Sequence, residues 1–123
     1  MVTLLNRRRC TRRGLVLAQD GRIILRSRPC RILGLQEGDG ISFAVESGQV
    51  YVYKDPTPAG LRLSGRTSQL HCCSVGTVRN IVRYIPGLQQ MPDTLELVTS
   101  EHPVMLSVSK DVSVPALAVI NRL

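Results

Sequence analysis

The stretch Gly14-Leu15-Val16-Leu17-Ala18-Gln19-Asp20-Gly21-Arg22-Ile23-Ile24-Leu25 decides the fold. Two aliphatic runs flank an Asp-Gly pair, which is among the strongest short-range signals for a β-hairpin. The pair is expected to form the turn itself, with positive φ at both Asp20 and Gly21. Further on, Pro29 is a favoured first helical position, so one or two helical turns are expected within Arg28 to Leu33. Gly34 then closes that helix as a left-handed cap. Glu37-Gly38-Asp39-Gly40 reads as a turn into a strand whose Ile41, Phe43 and Val45 share one side. Ser47-Gly48 turns the chain again into Gln49-Val50-Tyr51-Val52-Tyr53. The predicted order is strand, strand, short helix, strand, strand.

Working outward, Asp55 to Gly60 is a proline-stiffened connector, and after it the same order recurs. Leu61 to Ser64 and Gln69 to Cys73 read as strands around a turn at Gly65-Arg66. Ser74 is an N-cap for a helix with Val75, Val78, Val82 and Ile85 on its face and Ile81 beside it, stopped by Pro86-Gly87. Thr94 to Thr99 and Val104 to Val108 then form a closing hairpin around Glu101-His102-Pro103. Shared punctuation supports a repeat: Gly14-Leu15-Val16-Leu17 answers Gly60-Leu61-Arg62-Leu63, and Gly34-Leu35-Gln36 answers Gly87-Leu88-Gln89. Val52-Tyr53-Lys54-Asp55 answers Val108-Ser109-Lys110-Asp111. The expected layout is a basic extension over 1–13, one domain over 14–111 with repeats 14–55 and 60–111, and an apolar C-terminal segment over 112–123. That segment suits either an edge strand, with Pro115 inside it, or a self-association surface.

The chain has 123 residues, enough for one compact domain. It is 43% hydrophobic but only 3% aromatic, so the core must come from Val, Ile and Leu. Base-stacking platforms of the single-strand-binding kind are correspondingly disfavoured. No apolar run approaches the roughly 18 residues of a membrane-spanning helix. Four cysteines (Cys10, Cys30, Cys72 and Cys73) lack disulfide-framework spacing, and no secretory segment is evident, so a reduced, cytoplasmic setting is expected.

The charge is unevenly distributed. Residues 1–31 carry nine arginines (Arg7, Arg8, Arg9, Arg12, Arg13, Arg22, Arg26, Arg28 and Arg31) against Asp20 alone. The remainder of the +7 chain is close to neutral. Guanidinium forks engage phosphates through paired hydrogen bonds, so this is the footprint of a protein that meets a polyanion. A solvated basic face is the plainer alternative.

The run Asp20-Gly21-Arg22-Ile23-Ile24-Leu25, followed by Arg31-Ile32-Leu33-Gly34-Leu35-Gln36-Glu37-Gly38-Asp39 and the strands through Tyr53, resembles the swapped-hairpin family of AbrB, SpoVT, MazE and MraZ. The likeness covers about residues 14–54. It implies a mostly β fold with short helices, a small swapped-hairpin (cradle-loop) β-barrel built from two tandem ββαββ repeats, as in MraZ. It also implies a DNA-binding transcriptional regulator, with Arg22 and Arg31 carried over by position as the DNA contacts. Arg26 and Arg28 are additions of this chain, for the family usually places proline after its second strand and a glutamate in its short helix. The second half matches the motif poorly.

The expected partner is therefore duplex DNA, met through Arg7, Arg8, Arg9, Arg12, Arg13, Arg22, Arg26, Arg28 and Arg31. The alternative is an antitoxin-like or interaction module whose basic face meets an acidic protein, and a homo-oligomer is compatible with either. No cofactor or metal is expected: His71, Cys72 and Cys73 lack zinc-ligand spacing, and adjacent strand residues point to opposite faces. His102 reads as a solvated loop residue. An enzyme is not expected either, because neither a positioned nucleophile–base pair nor a phosphate-binding glycine loop is present. Arg79 and Arg83 read as a helix's polar side, pairing with acids such as Glu96 or touching a phosphate.

Overall fold

The computed structural model describes residues 14–86, 88 and 90–121. The chain is mostly β. Its first half comprises β1 (Gly14–Ala18), β2 (Arg22–Arg26), α1 (Ser27–Leu33), β3 (Gly40–Glu46) and β4 (Gln49–Lys54). Its second half comprises β5 (Leu61–Arg62), β6 (Ser64–Arg66), β7 (Gln69–Cys73), α2 (Val75–Arg83), β8 (Thr94–Thr99), β9 (Val104–Ser109) and β10 (Val112–Asn121). The strands form one antiparallel sheet in the order β5-β3-β4-β10-β8-β1-β2-β7-β6, with β9 paired to β10 outside that path.

The two ends of this order are separated along the chain by Leu63 alone. Its N–H donates to the Asp39 carbonyl and its own carbonyl accepts from Gly38 N–H, both at 2.9 Å. One segment, residues 61–66, thus serves β3 on one flank and β7 on the other. That nearly closes the sheet into a barrel and consumes two edges that would otherwise be open.

Alternation fills the inside. On β2, Ile23 and Leu25 are fully buried while Arg22 is exposed. On β7, Leu70 and Cys72 point in while Gln69, His71 and Cys73 point out. Leu, Ile and Val make up nearly all of the core, with Phe43 packed at its margin. Each fully buried aliphatic side chain contributes about 1.5–3 kcal/mol, so the aromatic-poor composition is no obstacle to folding. The helices pack on the strands, α1 against β1, β2, β7 and β10 and α2 against β2. Helix α1 buries Pro29, Cys30 and Leu33 and stops at Gly34, which is left-handed at φ 66°. Helix α2 starts at Ser74, whose hydroxyl accepts the Thr77 N–H at 3.2 Å, and it buries Val78 and Ile81.

Several local expectations change. Only Gly21 of the Asp20-Gly21 pair has positive φ, at 102°. Residues 19–21 therefore form a three-residue loop closed by a hydrogen bond from Gly21 N–H to the Ala18 carbonyl. The two-residue turn with both φ positive is instead Ser47-Gly48, at 51° and 78°. Helix α1 begins at Ser27 and holds Pro29 in its third position, where a missing N–H is still harmless. Val75 is 40% exposed and lies off the buried face of α2.

The largest change concerns the end of the chain. β8 and β9 do not pair with each other; both pair with β10. Ser100 exchanges hydrogen bonds with Ala118, its N–H donating to the Ala118 carbonyl and its hydroxyl accepting Ala118 N–H, each at 2.9 Å. Residues 100–103 are therefore a bulge along which the chain runs on, and the reversal comes at Lys110-Asp111. β10 in consequence sits between β4 and β8, with Leu117 fully buried. Residues 116–121 are thus interior to the barrel, while residues 112–115 pair with β9 alone.

Asp55 secures the junction of the two halves. Its N–H donates to the Gly40 carbonyl at 2.8 Å, and its buried carboxylate accepts from the Ser42 hydroxyl and from Thr57 N–H. These donors, Ser42 first, hold its pKa below the ordinary 3.8. A depressed carboxylate contributes stability that is fully present above its unfolded pKa and is lost as pH falls through the folded one. Asp55→Asn is expected to lose about 1–2 kcal/mol at neutral pH, from weakened charge-assisted hydrogen bonds. The gap between wild type and variant should close as pH falls through 3.8 and below. Urea melts at neutral and acid pH measure both, and a gap that is constant with pH would refute this role.

Candidate nucleic-acid interface

β2, β7 and β6 form a three-strand ribbon whose outward residues align by register. Arg26 lies opposite Gln69, and Gln69 lies opposite Arg66 on its other side. Ile24, His71 and Ser64 make the next row, and Arg22 pairs with Cys73. The fold aims these side chains outward because their neighbours Ile23, Leu25, Leu70 and Cys72 supply the core. Arg26 Nη1 donates to Gln69 Oε1 at 3.0 Å. A neutral amide thus positions the guanidinium without cancelling its charge, leaving donors for a further acceptor.

The other nominated arginines differ. Arg22 is clamped by Asp20: its Nε lies 3.0 Å from Oδ2 and 3.2 Å from Oδ1, and its backbone N–H donates to Oδ1. That backbone bond, then the side-chain bond, lowers the Asp20 pKa, so the pair is neutral as a unit at physiological pH. Arg28 Nη2 is 3.6 Å from Glu101 Oε1. Arg31 stands exposed in the last turn of α1, where a cation complements the helix dipole. The family-derived pair is therefore unequal, Arg22 being compensated on the spot and Arg31 not. Arg7, Arg8, Arg9, Arg12 and Arg13 lie outside the described residues, as does Cys10. Gly14, where that segment meets the barrel, follows in register beside Arg26, since Leu15 pairs with Leu25.

Arg66 is a residue that sequence reasoning missed. It sits 40 positions after Arg26 and on a different strand, and only the shared neighbour Gln69 brings the two together. Arg79 and Arg83 are exposed on α2. Arg79 directly follows the buried Val78, and Arg31 directly follows the buried Cys30.

Cys30 and Cys72 are buried, and burial pushes both thiols up, Cys72 to about 11. They are core groups, whereas Cys73 is exposed. Among the described residues no three His, Cys, Asp or Glu side chains converge as a metal would require. No described helix is long and apolar enough to cross a membrane. No protein-family model, curated protein or solved structure matches this chain.

Proposed function

We propose that the protein is a duplex-DNA-binding transcriptional regulator that meets DNA through the outward face of β2, β7 and β6 together with α1. The observation that carries this reading is the row Arg26–Gln69–Arg66, two guanidinium groups flanking one amide on an antiparallel ribbon. Such a ribbon suits a major groove, and arginine forks suit both phosphates and guanine edges. In sequence, residues 7–13 add five more arginines just before Gly14.

The finer architecture in this proposal is the swapped-hairpin barrel of two tandem halves. The pairings favour it, because each contact of the first half has a counterpart in the second. β1 with β2 is answered by β6 with β7, β1 with β8 by β5 with β3, and β3 with β4 by β10 with β8. The pairs β2–β7 and β4–β10 straddle the pseudo-twofold axis. In this scheme Arg31 and Arg79 are equivalent, and α2 brings a second arginine to the opposite end of the ribbon.

The test is fluorescence anisotropy of the full chain on duplex DNA over a salt series. Each phosphate neutralised contributes about −0.9 to the slope of log affinity against log salt. Arg26→Ala is expected to reduce the slope by about one such unit, and Arg22→Ala by much less, because Asp20 already balances Arg22. No binding at low salt would sink the proposal. The Arg22–Asp20 and Arg28–Glu101 pairs favour one second reading, since carboxylates already seat on this surface and an acidic protein would suit it. Wild-type binding to an acidic protein with none to DNA would select it.

A further inference from the structure

The hairpin formed by β9 and the start of β10 leaves the barrel with an open edge. On β10 the backbone groups of Ala118 point to the β8–β9 flank, as its two hydrogen bonds with Ser100 require. Successive strand residues alternate in this direction. Ala116 and Val114, opposite Val104 and Leu106, therefore exchange hydrogen bonds with β9. Pro115 and Ser113, opposite Met105 and Ser107, do not, and Pro115 has no N–H to give. The N–H and C=O groups of Met105 and Ser107 consequently face away from β10, and no described strand pairs with that edge of β9.

Natural edge strands are usually blunted by charge, internal proline, extreme shortness or a cover. This one has six residues, and no charged side chain occurs from Pro103 to Ser109. Val104 and Val108, which share the face of buried Leu106, are 49% and 36% exposed, and Met105 on the other face is 67% exposed.

We infer that the β9 edge pairs antiparallel with the β9 edge of a second copy of this chain. Symmetry makes the strip complementary to itself. With the twofold axis at Leu106, Met105 of each copy meets Ser107 of the other, and both are the residues whose backbone groups point outward. Val104 of each copy then lies opposite Val108 of the other, which brings the exposed valines into one apolar row beside the paired Leu106 residues. Charge selects the same place. Two chains of net charge +7 repel each other as wholes, but this strip is uncharged. Two six-residue strands make an interface at the small end, below about 1,200 Å², so the dimer is concentration-dependent.

Sedimentation equilibrium of the full chain over a dilution series tests this, with Ser107→Pro and the double variant Met105→Lys/Ser107→Lys beside wild type. Proline at 107 removes an outward N–H and the exposed hydroxyl that donates to the Ser109 carbonyl, and the lysines oppose each other across the axis. Both variants are expected to weaken the dimer by at least about tenfold, the equivalent of one or two edge hydrogen bonds. Hydrogen exchange should show the Met105 and Ser107 amides protected in the wild-type dimer alone. A wild type that stays monomeric throughout, or variants that dimerise with wild-type affinity, would overturn the inference. Should Ser107→Pro unfold, the lysine variant decides alone. Arg26→Ala is expected to leave self-association unchanged, so this result and the DNA result fail separately.

Discussion

Gly40→Ala is expected to cost about 3–5 kcal/mol, a large part of the stability of a domain this size. A Cβ at residue 40 would lie 2.5 Å from the Asp55 carbonyl oxygen and 3.4 Å from Gly60 Cα. Gly60 is the mirror case, with its own Cβ 2.6 Å from the same oxygen. Three backbone segments therefore meet without side chains between them: the start of β3, the end of the first half and the start of the second. The obstacle is backbone, so no rotamer change relieves it, and the Asp55 N–H to Gly40 carbonyl bond would have to open. Gly38→Ala makes the control. Gly38 has φ 91° and open space around its Cβ, so the expected loss is only about 1 kcal/mol of conformational strain. Chemical denaturation of the two variants beside wild type measures the order, and a Gly40→Ala loss no greater than that of Gly38→Ala would show that the junction yields easily.

The second large effect is on binding. Removing Arg26, Arg31 and Arg66 together is expected to reduce duplex-DNA affinity by about 10²–10³-fold at physiological salt, each charge-assisted phosphate contact being worth roughly 1–1.5 kcal/mol. The salt slope should fall by about 2.7, three counterion equivalents at 0.9 each. Among the described residues these three have no carboxylate partner of the kind that Arg22 and Arg28 have, and all three are outward. The thermal transition should hold nearly constant, since no core contact is removed. An affinity loss without a change in slope would mean that the arginines shape the surface and do not meet phosphates. No change in either would confine DNA contact, if present, to residues 7–13 or to α2.

The largest gap between sequence and structure falls at residues 100–103. Glu101-His102-Pro103 has the composition of a reversing loop, and two aliphatic runs flank it, so a hairpin is the natural reading. Ser100 prevents that reversal by bonding to both backbone groups of Ala118, so the chain continues along β10 as a bulged arm. Nothing within a few residues of Ser100 encodes that outcome, because its partner lies 18 positions away. The Asp20-Gly21 turn is a smaller instance, where the hairpin is right and the turn type differs. Its three-residue form lets Ser74 N–H reach the Gly21 carbonyl at 2.8 Å, a contact supplied by the second half of the chain.

The sequence by itself determined the order of strands and helices through α2 except over residues 61–66, where the expected single strand divides at Leu63 and Gly65-Arg66 lies in β6 and not in the turn. It also determined the caps at Gly34 and Ser74 and the concentration of arginine in the first quarter. These properties follow from turn chemistry, helix caps and hydrophobic alternation, all of which act within a window of a few residues. Tertiary structure alone decided that β10 enters the barrel and that Leu63 closes it. It also set Arg66 beside Arg26, gave Arg28 an acid partner in Glu101 and left the β9 edge open. Each of those depends on pairing between segments tens of residues apart. Such pairing is chosen by closure of the whole sheet around one core, and no local stretch of chain contains it.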